Sequence, residues 1–124
     1  MKTKVETDKA PKAVGPYSQA VVNNGFVYTS GQIHLTPDGK LLAGSIEEQT
    51  HQVMKNLQNV LAAAGVSFKE VVKTTIYITD MVVYGKINEV YQSYMTDPYP
   101  GREVVCVKAL PLGANIEISM VAIK

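Results

Sequence analysis

The sequence predicts an α+β fold, a mixed β-sheet with two helices packed on one of its faces. Three observations predict it. Two stretches repeat apolar residues at the spacing of one helix face, and most of the rest alternates at strand spacing. The elements also run in the order strands, helix, strand, helix, strands, which suits helices layered on a mixed sheet. The chain has 124 residues, 46% of them hydrophobic. That fits a single domain over 1–124 that buries roughly two-thirds of its unfolded surface.

The first strands form a hairpin. Asn23-Asn24-Gly25 separates 19–22 from 26–30, and an Asn-Gly pair suits a tight two-residue turn. The first helix opens at Ser45, with Glu48 three residues on, the pattern of a capping box. Ile46, Thr50, Val53, Leu57, Val60 and Ala64 follow at steps of four and three, and Met54 and Leu61 widen the stripe. Gly65 stands where a C-terminal cap belongs. Residues 71–79 read as a strand with Val72, Thr74, Ile76 and Ile78 on one face. The second helix is expected at 81–95. Val83, Ile87, Val90 and Tyr94 form its apolar line, and Asp97-Pro98 closes it. Two final strands, 103–110 and 115–123, are joined through Pro111-Leu112-Gly113.

Both faces of those last strands are apolar. Val105, Val107 and Ala109 oppose Val104, Cys106 and Leu110, while Ile116, Ile118, Met120 and Ala122 oppose Val121 and Ile123. Two helices cover only one side of such a sheet, so the other side calls for a partner subunit, with cover by loops as the alternative.

Composition narrows the function. The net charge of +1 points to neither nucleic acid nor an anionic membrane. No apolar stretch is long enough to span a bilayer. Residues 1–12 hold Lys2, Lys4, Glu6, Asp8, Lys9 and Lys12, which is no signal peptide. Cys106 is the lone cysteine, so no internal disulfide forms, and a reducing, cytoplasmic setting follows. His34 and His51 with one cysteine do not make a zinc site, and no phosphate loop or nucleophile elbow is present. His51 lies off the apolar stripe and faces solvent. His34 reads as a surface histidine, with a pocket-lining role as the alternative.

Four polar residues stand in apolar surroundings. Arg102 follows Pro100-Gly101, as a solvated strand end or as a fork for a carboxylate. Glu117, between Ile116 and Ile118, is an edge charge or a proton handler. Asn88 lies on the line Tyr84, Asn88, Tyr91, Met95 beside the apolar stripe of its helix. Tyr17 is presented by the rigid Gly15-Pro16 turn.

Together with these residues, the chain carries a series of short motifs. They are Ala10-Pro11, Gly15-Pro16-Tyr17-Ser18-Gln19, Thr29-Ser30-Gly31-Gln32-Ile33, Lys73-Thr74-Thr75, Ile78-Thr79-Asp80, Ile87-Asn88-Glu89-Val90-Tyr91, Pro100-Gly101-Arg102, Leu110-Pro111 and Ile116-Glu117-Ile118. In this order and spacing, from Lys9 to Lys124, they resemble the Rid family of reactive-intermediate deaminases, also called YjgF-like proteins.

The resemblance implies a chorismate-mutase-like (YjgF-like) fold and a homotrimer with sheets inside, helices outside and clefts between subunits. It implies hydrolysis of 2-iminobutanoate and 2-iminopropanoate to 2-oxo acids and ammonia. These imines are released by pyridoxal-phosphate enzymes, which the activity protects. The implied partner is a small 2-imino acid, with no cofactor, no metal, no nucleic acid and no membrane. Arg102 would bind the substrate carboxylate and Glu117 would position or activate water. Tyr17, Ser30 and Asn88 would line the cleft, with backbone contacts at Gly31 and Val104.

The chain departs from the family pattern at Glu103 and Val104, which displace the cysteine to Cys106, and at Ser119 in place of a second acid. Glu103 is expected to face away from Arg102. A plain hairpin would leave Arg102 roughly 16 Å from Glu117, so either those two strands do not pair directly or two chains complete the site, the second being favoured. The rival readings are a non-enzymatic chaperone-like or ligand-binding trimer, an RNA-directed activity, and a mutase-like isomerase. The chain shows neither a basic aromatic stripe nor a mutase motif.

Overall fold

The computed structural model describes residues 1–124. The strands are β1 (Thr3–Val5), β2 (Ala20–Asn23), β3 (Phe26–Thr29), β4 (Gln32–Ile33), β5 (Val71–Ile78), β6 (Gly101–Cys106) and β7 (Ile116–Ile123). The helices are α1 (Ile46–Ala63) and α2 (Tyr84–Tyr94), the latter entered through a 3₁₀ turn at Met81–Val83. The sheet order is β1-β2-β3-β7-β5-β6, and β4 also pairs with β7. Asn24 and Gly25 take positive φ, 51° and 80°, as a two-residue hairpin turn between β2 and β3 requires.

The first helix forms where its capping residues stand. Ser45 Oγ accepts from Glu48 N–H at 3.1 Å, and Glu48 Oε1 accepts from Ser45 N–H at 3.0 Å. A cap of this kind is worth about 1 kcal/mol. Gly65 then leaves the helix at φ 86°. Val53, Met54, Leu57, Val60 and Leu61 bury fully against the sheet. From the sheet, Val27, Ile76, Ile78, Ile116, Ile118, Met120 and Ala122 complete the same core. Val72 does not join them. A register shift between Val71 and Lys73 turns it out to 45% exposure, so the expected alternation begins only at Thr74.

The last two strands do not pair with each other. β5 lies between them, parallel to β6 and antiparallel to β7. The physical reason is the helix between β5 and β6. A strand–helix–strand connection returns the chain in the same direction, which favours a parallel pair. β6 is therefore an edge strand, and it ends at Cys106 rather than near residue 110. Val107 N–H still donates to Ile78 O at 2.8 Å before the chain leaves the sheet.

Both helices cover one face of the sheet. The other face is open and mixed, with Phe26, Tyr28, Val105 and Ile123 each more than a third exposed beside Lys73, Glu103, Glu117 and Ser119. The uncovered side is thus less apolar than expected, because β6 ends before Val107 and Ala109 and polar residues stand among its hydrophobic ones.

His34 corrects the surface expectation, being 1% exposed. Asn115 N–H donates to its Nε2 at 3.1 Å, so Nδ1 carries the proton and donates to Leu42 O at 3.0 Å. Burial holds its pKa below the ordinary 6.5. The folded chain therefore binds that proton more weakly than the unfolded chain. The resulting stability is complete above pH 6.5 and lost as pH falls through the lowered value. We expect His34→Gln to melt with a flatter pH dependence than the wild type between pH 7.5 and 5. Equal losses in both proteins would assign the acid sensitivity to other groups.

Candidate functional site

Arg102 is the only arginine among the twelve lysines and arginines of the chain. Its strand neighbour across β5 is Thr74, so its side chain emerges on the helix-covered face, at the open edge of the sheet. There α2 receives it. Arg102 Nη1–H donates to Asn88 Oδ1 at 2.7 Å and Nη2–H to Tyr84 Oη at 2.8 Å. Tyr84 and Asn88 are four residues apart, one helical turn, so both acceptors share a face. The guanidinium carbon lies 5.1 Å from the Tyr91 ring centroid and 5.9 Å from that of Tyr84. Contacts of this kind attract a cation to an aromatic face. Tyr91 is itself fixed, its hydroxyl donating to Thr74 Oγ1 at 3.0 Å in the buried interior.

The guanidinium has five N–H donors, and two are used. Nε–H and one hydrogen on each Nη have no acceptor within the chain. Arg102 itself lines a cavity of about 350 Å³ together with Asn88, Tyr91, Gln92, Tyr99 and Pro100. A planar, pre-oriented cation with free donors at a pocket wall suits a carboxylate.

Val104 lies two residues further along the same face, partly buried against the core. Because Val107 N–H points to β5, alternation along the strand sends the N–H and C=O of Val104 outward, unpaired at the edge. Glu103 takes the opposite face, as expected, where Lys73 forms an ion pair with it. That lysine holds the Glu103 carboxyl below the usual carboxylate range. Glu103 therefore does not neutralise Arg102. Cys106 is exposed at the end of β6.

Glu117 stands elsewhere. It pairs with Tyr77 across β5 and with Ile33 across β4, on the open face. Its side chain folds against Gly31, where an added Cβ would overlap the carboxylate and lie 2.7 Å from Glu117 Cδ. Burial pushes its pKa up, and no cation of the chain pairs with it. Ser30 precedes Gly31 and donates from Oγ to Ser18 O at 2.6 Å. Tyr17 is 51% exposed beside Ser18, and Val14 N–H donates to its Oη at 3.3 Å.

The candidate residues thus form two groups. Arg102, Asn88 and Val104 make one, and Glu117, Gly31, Ser30 and Tyr17 make the other. Thr74 and Tyr77, the β5 partners of Arg102 and Glu117, are three residues apart. Arg102 and Glu117 therefore project from opposite faces, with their Cα atoms about 14 Å apart by strand geometry. Direct hairpin pairing is not the cause of their separation. The parity of the register is.

Sequence reasoning missed Tyr84 and Tyr91 as partners of Arg102, although both lie on the helical line that singled out Asn88. It also missed what Gln19 does. That side chain, 3% exposed, accepts from Thr7 N–H at 2.8 Å and donates to Thr7 O at 3.0 Å and Pro11 O at 2.8 Å. It clamps the N-terminal segment that leads into Tyr17.

Comparison with known proteins places relatives beside this geometry. A family model described as Endoribonuclease L-PSP matches residues 7–124. The chain is similar to Reactive Intermediate Deaminase A, chloroplastic, of Arabidopsis thaliana, at 46% identity over 119 residues. That match takes in 95% of this chain and 64% of the plant protein's length. It is similar to the 2-iminobutanoate/2-iminopropanoate deaminase of Mus musculus at 44% identity, over 97% of this chain and 90% of the mouse protein. Among solved structures, a protein of Thermotoga maritima provisionally labelled an endoribonuclease superposes with a TM-score of 0.97 at 50% identity, covering 100% of this chain and 98% of that one.

Proposed function

Because the chain belongs to the endoribonuclease L-PSP family, and within it to the reactive-intermediate-deaminase (Rid) type, we propose that it hydrolyses small 2-imino acids such as 2-iminobutanoate and 2-iminopropanoate to 2-oxo acids and ammonia. The reaction takes place in the cytoplasm of the cell, in clefts between the subunits of a homotrimer. It removes imines released by pyridoxal-phosphate enzymes. The observation that carries the reading is the Arg102 guanidinium, held in one orientation by Asn88 and Tyr84 with donors to spare at a pocket.

The chemistry follows from the residues. The substrate carboxylate accepts two parallel hydrogen bonds from Arg102, which fixes the adjacent C=N carbon. Glu117 accepts a proton from water as the oxygen bonds to that carbon, giving a carbinolamine. The carboxyl returns the proton to nitrogen. Ammonia leaves as the C=O forms, and the hydroxyl proton passes out with it, so the protonated imine and water become the 2-oxo acid and ammonium. A carboxylate whose pKa burial has raised is a stronger base than an ordinary one and suits this exchange. Imines already hydrolyse in water, so positioning and proton transfer worth a few kcal/mol, about a hundredfold or more in rate, suffice.

Arg102 and Glu117 lie on opposite faces of one sheet and cannot meet on one small substrate within a chain. A second chain bringing its Glu117 group to the first chain's Arg102 edge resolves this. It also covers the open face with its exposed Phe26, Tyr28 and Ile123. RNA cleavage, which the family description names, draws less support. His34 is buried and committed to two backbone partners, and His51 bonds Tyr94 Oη at 2.8 Å, away from both groups.

The test mixes Arg102→Ala subunits with Glu117→Gln subunits and follows ammonia release from threonine through a pyridoxal-phosphate-dependent dehydratase. Each variant alone should be inactive. Random trimers of the two should regain about a quarter of wild-type activity, since each mixed trimer has one intact cleft of three. No recovery, with mixed trimers confirmed by native mass spectrometry, would overturn the shared cleft.

A further inference from the structure

Tyr84 holds one end of the guanidinium, and its hydroxyl is the only acceptor within the chain for Nη2. We infer that Tyr84 is a positioning residue for carboxylate recognition: by accepting from Nη2 it fixes the plane of Arg102, so that the remaining Nε and Nη donors face the pocket. The inference rests on the reading of Arg102 as the carboxylate fork.

The geometry supports this in three steps. An arginine on an edge strand has four side-chain torsions and, left to itself, samples many rotamers. Asn88 alone, at 2.7 Å from Nη1, leaves the group free to swing about that one bond. A second acceptor at 2.8 Å from Nη2, one turn earlier on α2, adds a second point and so defines a plane. The rings of Tyr91 and Tyr84 then bound that plane. Tyr91 cannot replace Tyr84 as an acceptor, because its hydroxyl is committed to Thr74 and buried. Tyr84 is partly exposed at the first turn of α2, so losing its hydroxyl leaves the core intact.

The carboxylate is held in the same way in substrate and transition state. Loosening the fork therefore weakens both alike and raises KM more than it lowers kcat.

The experiment uses Tyr84→Phe, which keeps the ring and removes the acceptor. Because Arg102 is the only arginine, arginine labelled with ¹⁵N reports this one side chain without assignment ambiguity. In the wild type its Nη resonances should be resolved by slow rotation, and in Tyr84→Phe they should broaden or merge. The dissociation constant of 2-oxobutanoate, a stable 2-oxo acid used as the probe, should rise about five- to tenfold, the loss of one hydrogen bond of ordinary net strength. KM in the coupled assay should rise by a similar factor, with kcat within about twofold. Unchanged Arg102 resonances, or changed resonances with unchanged 2-oxobutanoate affinity, would overturn the inference. Should the wild type release no ammonia while Tyr84→Phe still loosens Arg102 and weakens 2-oxobutanoate binding, the deaminase reading falls and the positioning role stands.

Discussion

Replacing Arg102 by lysine should lower kcat/KM for 2-iminobutanoate by about two orders of magnitude, and replacement by alanine by about three. Lysine keeps the charge but presents a compact, strongly hydrated ammonium. It cannot donate two parallel bonds to a carboxylate while also satisfying Asn88 and Tyr84. The loss is therefore one of geometry, and added salt should not reproduce it. Arg102 lies at the sheet edge, outside the fully buried core, so both variants should melt within a few degrees of the wild type. Steady-state kinetics beside thermal melts decide the matter. Retention of more than half the activity by Arg102→Lys would remove the two-point fork from the mechanism.

Gly31→Ala should abolish turnover almost as completely as Glu117→Gln, although the methyl group carries no chemistry. A Cβ at Gly31 overlaps the Glu117 carboxylate, the movable end of a flexible side chain. The methyl group displaces the carboxylate and leaves the backbone in place. A displacement of about 1 Å at a reacting group costs on the order of a hundredfold in rate. Glu117→Gln separates catalysis from stability. Burial raises the Glu117 pKa, so its contribution to stability is complete at low pH and lost as pH rises through the raised value. The glutamine variant should thus melt at or above the wild-type temperature at pH 8 while failing to turn over. On the proposed role of Glu117 as a base the carboxylate must be ionised, so wild-type activity should fall as pH drops through that same raised value. A Gly31→Ala protein with wild-type kcat would show that contact with Gly31 does not set the position of Glu117.

What could be read beforehand follows from the range of each signal. The capping box at Ser45, the stripe down to Ala64 and the Asn24-Gly25 turn are local, and all three are found in the structure. Strand pairing is not local. A hairpin of 103–110 and 115–123 has only closeness in sequence behind it, while the strand–helix–strand run across 71–106 argues for a parallel β5–β6 pair. The same holds for the candidate site. Asn88 was legible because a helical line carried it, and Tyr84 and Tyr91 stood on that line unread. His34 was misjudged because its burial depends on Leu42 and on Asn115, which is 81 residues away. No periodicity encodes a contact of that span.

The register that sends Arg102 and Glu117 to opposite sides of β5 has a kinetic consequence. On the shared-cleft reading, a lone chain holds half of each of two catalytic units and the whole of none. The observed rate then counts assemblies and not chains. Dilution below the association threshold acts as an inhibitor, making the rate fall more steeply than linearly with protein concentration. On reconcentration the rate returns after a lag, whose length is the time the subunits take to find one another.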